Sequence, residues 1–392
     1  MTEKLLKILM VDPSLFTAPY DEGITEGLEK NGIAVSWACR DLRSKEEYHL
    51  IAARQINRIF YPNIINSAKN AGFLAKFNKG VSHVASMIRL WRYVSRNRPD
   101  IVHFQWIVFP LVDMVFIAAI QRICPVIITV HDTLPFNGNP TSWLQTIGLS
   151  RALASVDHII VHTQKAAEMI GGAVGNRTPV SVIAHGPLSR ANIVPHIHTA
   201  SKDKWNFLMF GKIQHYKGLD ILVEALTLLP DEARSKMRII VAGESFIDMV
   251  PIKSYIEEYK IGDTIDFRLW RHSNEEVDSL LSEADAFIFP YRRIDASGVL
   301  YLVAAYRKWI IASNIGIFRE VIQENVTGSI IPAEDPHALA ASLAGTIGKL
   351  PTASLPVESW NNIGKRTYEI YTRHISSRQR YDDGGGSSSG TV

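Results

Sequence analysis

Cysteine is nearly missing from the 392 residues: Cys39 and Cys124 are the only two, far apart and without metal-ligand spacing. That excludes a disulfide framework and a cysteine zinc site, and a reducing, cytoplasmic compartment is expected. Long hydrophobic runs are also lacking. The longest, residues 106–120, contains Pro110 and Asp113 and falls short of the roughly 20 residues that cross a bilayer. The first residues, Met1-Thr-Glu-Lys-Leu-Leu-Lys7, carry an acid and no apolar stretch before a cleavage site, so no signal peptide is expected. Neither charge sign is in large excess. The 42 Lys and Arg against 39 Asp and Glu leave +3, which does not suggest nucleic acid as a partner. No fixed-period repeat is visible, so a solenoid is not expected. An Asp-x-Asp clamp is absent too, and the reading requires no metal and no other cofactor.

The chain does contain enough apolar sequence for two cores of ordinary domain size. Short apolar runs alternate with helical spacers. Strands are expected at residues 7–11, 33–37, 101–104, 126–130, 158–161 and 180–183, with a helix over 21–31 closed by Gly32. Residues 188–205, polar and interrupted by Pro195, read as a linker. A second set of strands follows at 207–210, 238–242, 265–267, 286–289, 310–312 and 329–331. Near-continuous apolar strands separated by helices indicate parallel sheets wound on both faces, so the fold class is α/β with two doubly wound Rossmann-like domains. The expected domains are 1–190 and 205–355, with a disordered Gly/Ser-rich tail at 382–392.

One segment stands out. Phe207-Leu-Met-Phe-Gly211-Lys212-Ile-Gln-His-Tyr-Lys217-Gly218-Leu-Asp220 puts a glycine and two lysines between a strand and an amphipathic helix. Glycine allows a tight turn, a helix start offers free N–H groups and a positive dipole end, and Lys212 and Lys217 add full charges. Such an arrangement suits a diphosphate.

This segment resembles the phosphate-binding loop of the nucleotide-sugar-dependent retaining glycosyltransferases of family 4. The likeness continues in order through Ala284-Asp-Ala-Phe-Ile-Phe-Pro290, Ser297-Gly298-Val-Leu300, Lys308-Trp-Ile-Ile-Ala-Ser313, Gly316-Ile-Phe-Arg-Glu320 and Asn325-Val-Thr-Gly328. It covers about residues 205–345 and extends more weakly over the N-terminal half. The resemblance implies two Rossmann-like domains facing across a cleft, the glycosyltransferase B architecture. It also implies a C-terminal helix, about 359–375, that returns to the first domain, and a nucleotide-sugar donor as substrate rather than cofactor. The transferred sugar would go to a glycan or lipid-linked saccharide acceptor, with retention of configuration. Two alternatives stand beside it: a non-catalytic glycan-assembly subunit with a degenerate donor site, and a sugar-nucleotide epimerase of related fold.

Residue roles follow from the resemblance. Gly211, Lys212 and Lys217 would hold the diphosphate, and Asp295, Ser297, Gly298, Val299 and Leu300 would lie against phosphates and sugar. The bland alternative makes Asp295 or Ser297 a helix N-cap. Arg271, near the end of a strand, would approach the nucleobase. His131, after the strand 126–130, would contact the sugar near the reacting centre, with His103 ranked behind it. His185-Gly186 reads as a turn or hinge, and Phe16, Thr17 and Tyr20 as acceptor contacts. The chain departs from the family pattern in two places. The E-x7-E glutamate pair is replaced by Ile294 or Asp295 and by Leu302 or Val303, and Arg307 and Trp309 stand where glycine and proline are usual. Finally, residues 73–98 mix Lys76, Lys79, Arg89, Arg92, Arg96 and Arg98 with Phe73, Leu74, Phe77, Met87, Ile88, Leu90 and Trp91. This composition suits either peripheral contact with an anionic membrane or a helix packed on a sheet with a solvated basic face.

Overall fold

The computed structural model describes residues 5–42, 56–62, 73–133, 147–175, 177–188 and 204–384. The chain divides into two compact units, residues 1–186 with 358–392, and residues 187–357. Most of the expected linker, 188–205, and of the expected tail lies outside the described residues.

The first unit holds strands β1 (Lys7–Asp12), β2 (Ala34–Cys39), β3 (Ile56–Arg58), β4 (Ile101–Phe104), β5 (Val126–Val130), β6 (His158–Val161) and β7 (Val180–Val182). All pair in parallel, in the order β3-β2-β1-β4-β5-β6-β7. β1 carries an unbroken apolar run, Ile8–Val11, because helices cover both faces of such a sheet. Those helices are α1 (Ala18–Lys30), α2 (Phe73–Asn97), α3 (Pro110–Gln121), α4 (Leu149–Leu153) and α5 (Gln164–Val174). Helix α1 begins earlier than the periodicity suggests. Pro19 sits in its first turn, where a missing N–H costs nothing. Strand β3 was not expected; it is three residues long and too polar to announce itself.

The second unit holds β8 (Trp205–Phe210), α6 (Leu219–Thr227), α7 (Asp231–Ser235), β9 (Met237–Ala242), α8 (Val250–Glu258), β10 (Ile265–Arg268), α9 (Asn274–Glu283) and β11 (Ala286–Phe289). It continues with α10 (Gly298–Val303), β12 (Trp309–Ser313), α11 (Gly316–Val321), β13 (Gly328–Ile331) and α12 (Pro336–Thr346). Its sheet is also parallel throughout, in the order β10-β9-β8-β11-β12-β13. The order reverses between β8 and β11, as it does between β1 and β4 in the first unit. Ligands of doubly wound sheets bind at the carboxyl ends of the strands beside such a switch point.

The last helix, α13 (Trp360–Gly384), belongs to the first unit and runs further than expected. Its backbone crosses α1 at close range: a Cβ added at Gly27 would lie 2.1 Å from the Trp360 carbonyl oxygen, and one at Gly364 2.2 Å from the Gly27 carbonyl. Only glycine lets the two helices meet there.

Candidate functional site

In the second unit the switch point is occupied by the segment that the sequence singled out. Gly211 follows β8 with φ +104, and a short 3-10 turn, His215–Lys217, leads into α6 through Gly218 at φ +73. A Cβ at Gly218 would lie 2.1 Å from the carbonyl oxygen of Pro290, which follows β11. That contact and the left-handed backbone both require glycine.

The turn carries Lys217 inward, not out to solvent. Its side chain is 3% exposed, and its ammonium donates to the Phe210 carbonyl oxygen at 2.9 Å and lies 5.2 Å from the centre of the Tyr291 ring. Among the described residues no carboxylate pairs with it. Burial first, and the charge of Lys212 second, lower its pKa from 10.5 to about 7. An ammonium buried without a counter-ion is costly, and an anion at the strand end would relieve that cost. Lys212 itself is exposed.

Other members of the sequence-derived set converge on the same spot. A Cβ at Gly211 would be 2.8 Å from the Lys217 ammonium and 3.2 Å from Val299, so Gly211, Lys217 and Val299 are neighbours. Ser297 is the N-cap of α10 and accepts a hydrogen bond from the Leu300 amide at 3.3 Å; it also bonds the Tyr291 hydroxyl. Leu300 is buried, while Gly298 is exposed and Val299 half-buried. Asp295 is half-buried, and its carbonyl accepts from the Ile317 amide at 3.0 Å. The capping role therefore falls to Ser297 and not to Asp295. Arg271 is exposed beyond β10, next to Trp270, which is half exposed and packs near His272.

Sequence reading missed Arg292. It grips Asp220 with two hydrogen bonds of 2.6 and 2.9 Å, bonds Glu334 at 2.8 Å, and donates to the His215 carbonyl at 2.9 Å. Against the upward pull of burial, Arg292 holds the Asp220 carboxyl below its usual range. This clamp ties the end of β11 to the start of α6 and fixes the turn bearing Lys217. Its only sequence signal is an arginine just after a strand.

In place of the usual glycine, Arg307 adopts φ +50, and Asn325 adopts φ +60 in the turn before β13. The backbone thus keeps the left-handed turn while the residue changes. At the E-x7-E positions, Leu302 is half-buried and Val303 buried, so both serve packing.

At the first unit's switch point, His131 follows β5 at the edge of a small cavity of about 30 Å³ that Gln105, Trp106 and Asp132 also line. Its Nε2 lies 3.0 Å from the Gln105 amide oxygen and its Nδ1 3.1 Å from His162 Nε2. Trp106 stacks on the ring and Tyr20 meets it edge-on. Burial, followed by His162 and His185, lowers the His131 pKa well below 6.5, so the ring is neutral. His185 belongs to the same cluster and bonds the Gly186 carbonyl at 2.6 Å.

His103 is placed elsewhere. It is 1% exposed, and its ring nitrogens bond the Tyr371 hydroxyl at 2.7 Å and Thr129 Oγ1 at 2.9 Å, which makes it a tie between sheet and α13. Of the proposed acceptor contacts, Phe16 is 42% exposed and packs on Trp106. Thr17 accepts from Trp106 Nε1 at 3.1 Å, and Tyr20 is buried among the histidines.

Residues 22–186 match the family described as Glycosyltransferase Family 4, and residues 193–347 match Glycosyl transferases group 1. The chain is 23% identical over 292 residues to O-antigen chain mannosyltransferase C of Escherichia coli, spanning 72% of this chain and 71% of that protein. It is 26% identical over 254 residues to D-rhamnosyltransferase WbpZ of Pseudomonas aeruginosa, spanning 62% of each. A sucrose-phosphate synthase from Thermosynechococcus elongatus superposes with a TM-score of 0.71 at 15% identity, over 95% of this chain and 100% of that one. Anabaena HepE, solved in complex with UDP and glucose, gives 0.64 at 14% identity, over 97% and 100%. At these identities the structural likenesses establish the fold.

Proposed function

Since the chain belongs to the glycosyltransferases built from two Rossmann-like domains, we propose that it moves a sugar from a nucleotide-diphospho-sugar to a saccharide of a surface polysaccharide. The observation that carries this is the buried Lys217 ammonium at the second unit's switch point, without a carboxylate partner among the described residues. One ammonium about 4 Å from a phosphate oxygen contributes on the order of 4 kcal/mol at an effective dielectric near 20, before desolvation is subtracted. Interaction that strengthens as the diphosphate separates lowers the barrier rather than merely tightening binding. Mannosyl and D-rhamnosyl transfer by the two relatives support a hexose donor, and the O-antigen chain mannosyltransferase supports an O-antigen-type product.

In this reading the bond from the anomeric carbon to the diphosphate oxygen breaks, the acceptor oxygen bonds that carbon from the same face, and the acceptor proton passes to the departing phosphate oxygen. Configuration is retained. No metal and no cofactor enters the scheme. Gly211, Lys212, Lys217, Ser297 and Gly298 serve the diphosphate and sugar, Arg271 the base, and His131 the sugar ring.

A cytoplasmic setting suits two free, buried cysteines, whose thiols burial pushes up to about 12. No helix among the described residues is long and apolar enough to cross a membrane. Peripheral contact is supported by α2. Met87 and Leu90 are buried in the core, but Val81, Val84, Ile88 and Trp91 form an exposed stripe at helical spacing, with Arg92, Arg96 and Arg98 exposed nearby. The side chains of Phe73, Leu74, Lys76, Phe77 and Lys79 lie outside the described residues.

A thermal-shift screen of UDP-, GDP- and ADP-sugars tests the reading, followed by slow release of the nucleoside diphosphate. Stabilisation by one donor class, with release lost in Lys217→Ala, is expected, and product anomeric couplings by NMR check retention. Absence of binding by every donor class would overturn the proposal in favour of a non-catalytic subunit.

A further inference from the structure

Four groups in the first unit form a hydrogen-bonded file: the Ile183 carbonyl oxygen, 3.0 Å from His162 Nδ1; His162 Nε2, 3.1 Å from His131 Nδ1; and His131 Nε2, 3.0 Å from the side-chain amide of Gln105. A carbonyl oxygen can only accept, so His162 must carry its proton on Nδ1. Burial lowers the His162 pKa to about 4, so a neutral ring then presents a bare Nε2, which can only accept. His131 must therefore donate from Nδ1, leaving its own Nε2 bare. The group facing that lone pair has to be a donor.

As placed, Gln105 directs its amide oxygen at Nε2, and the Gln105 amide nitrogen is buried without a partner among the described residues. Oxygen and nitrogen of an amide are exchanged by a half-turn of the group, and their assignment follows from the hydrogen-bond network. Turning the Gln105 amide removes both faults at once: its N–H then donates to His131 Nε2. Elsewhere in this unit, the files through His103 and His158 reach hydroxyls, Tyr371, Thr129 and Ser181, which can serve either polarity, while His83 lies between the Tyr61 hydroxyl at 2.8 Å and the Asp113 carboxylate at 2.6 Å. The file through His162 instead ends on a carbonyl, which permits a single direction.

We propose that Gln105 and His162 are positioning residues that lock His131 as its Nδ1–H tautomer, so that a ligand taking the place of the Gln105 amide on the single Nε2 lone pair must donate to it. A sugar hydroxyl, which donates, fits that lone pair, whereas a phosphate oxygen, which only accepts, does not. The ring is also clamped in orientation by Trp106, stacked at 5.4 Å between centres, and Tyr20, edge-on at 4.7 Å. The inference rests on the assignment of His131 to the sugar, but the tautomer itself does not.

The test uses the full chain labelled with 15N-histidine, with the His131 ring signals identified by their loss in His131→Gln. At neutral pH the expected result is a pyrrole-like Nδ1 and a pyridine-like Nε2 for His131. A protonated Nε2, or an imidazolium on either ring, overturns the lock. The second arm measures nucleoside diphosphate release from whichever UDP-, GDP- or ADP-sugar the screen selects. His162→Phe removes the acceptor for Nδ1–H and should lower kcat by about 10- to 100-fold with little change in KM, the scale of effect expected when a buried donor is left unsatisfied. His162→Asn, whose amide oxygen can accept, should restore much of it. Equal losses in the two variants refute the positioning role. Should the wild-type spectrum show the expected tautomer while no donor is turned over, the glycosyl-transfer reading fails and the lock stands. If turnover is found with the opposite tautomer, the lock alone fails.

Discussion

Lys217 makes a quantitative prediction. Its pKa falls from 10.5 to about 7 in the folded protein, and 10.5 − 7 = 3.5, which corresponds to about 5 kcal/mol of destabilisation of the charged form. A diphosphate seated beside the ammonium reverses that penalty and raises the pKa again. Binding must then take up a proton, about half of one at pH 7 and nearly a whole one at pH 8.5. Affinity should fall as pH rises, by about 50-fold between pH 7 and pH 9 if the bound-state pKa returns to about 10. Titration calorimetry with an intact nucleotide sugar, whose diester diphosphate does not titrate in this range, reads both quantities when repeated in buffers of different ionisation heat. Lys217→Arg should flatten the pH dependence, because a guanidinium stays charged. The stability of the free protein has the opposite sign. The unfolded chain binds more protons than the folded one between pH 7 and 10.5, so this lysine's destabilising effect is full below pH 7 and fades as pH rises. Lys217→Met should therefore raise Tm at pH 6 while abolishing donor binding, a gain of about 1–4 kcal/mol being usual when a buried charge is replaced by a packed apolar group. A donor affinity that is constant from pH 6 to 9, without proton uptake, refutes the reasoning.

Gly27→Ala should destabilise the first unit by several kcal/mol, because the added methyl would meet the Trp360 carbonyl at 2.1 Å and push α13 off α1; urea unfolding measures it. Arg307→Gly should stabilise the second unit by about 1 kcal/mol, since Arg307 holds φ +50 against its side chain, and an unchanged midpoint would show that the residue gains compensating contacts. On α2, the double change Ile88→Glu and Trp91→Glu should abolish flotation with anionic liposomes at low salt and leave donor binding unaltered. Failure of the wild-type chain to float removes the membrane contact altogether.

Much of the fold was legible in advance because parallel strands buried on both faces leave unbroken apolar runs, as in Ile8–Val11 and Ala286–Phe289. Where that rule has no purchase, reading failed: β3 is short and polar, and the start of α1 depends on a proline whose position favours a helix only at its first turn. The anion loop was legible for the same kind of reason, since a glycine that must turn and a lysine that must reach lie within one local segment.

Local chemistry along the chain thus set the alternation of strands and helices, the glycine turns and the cationic segment, since each rests on residues a few positions apart. Which way Lys217 points, that Arg292 closes on Asp220, that His103 faces inward, and that Gln105, His131 and His162 form one file are matters of tertiary structure. Those groups come from strands and loops distant in sequence, and their hydrogen bonds and desolvation exist only once the sheets have brought the strand ends together.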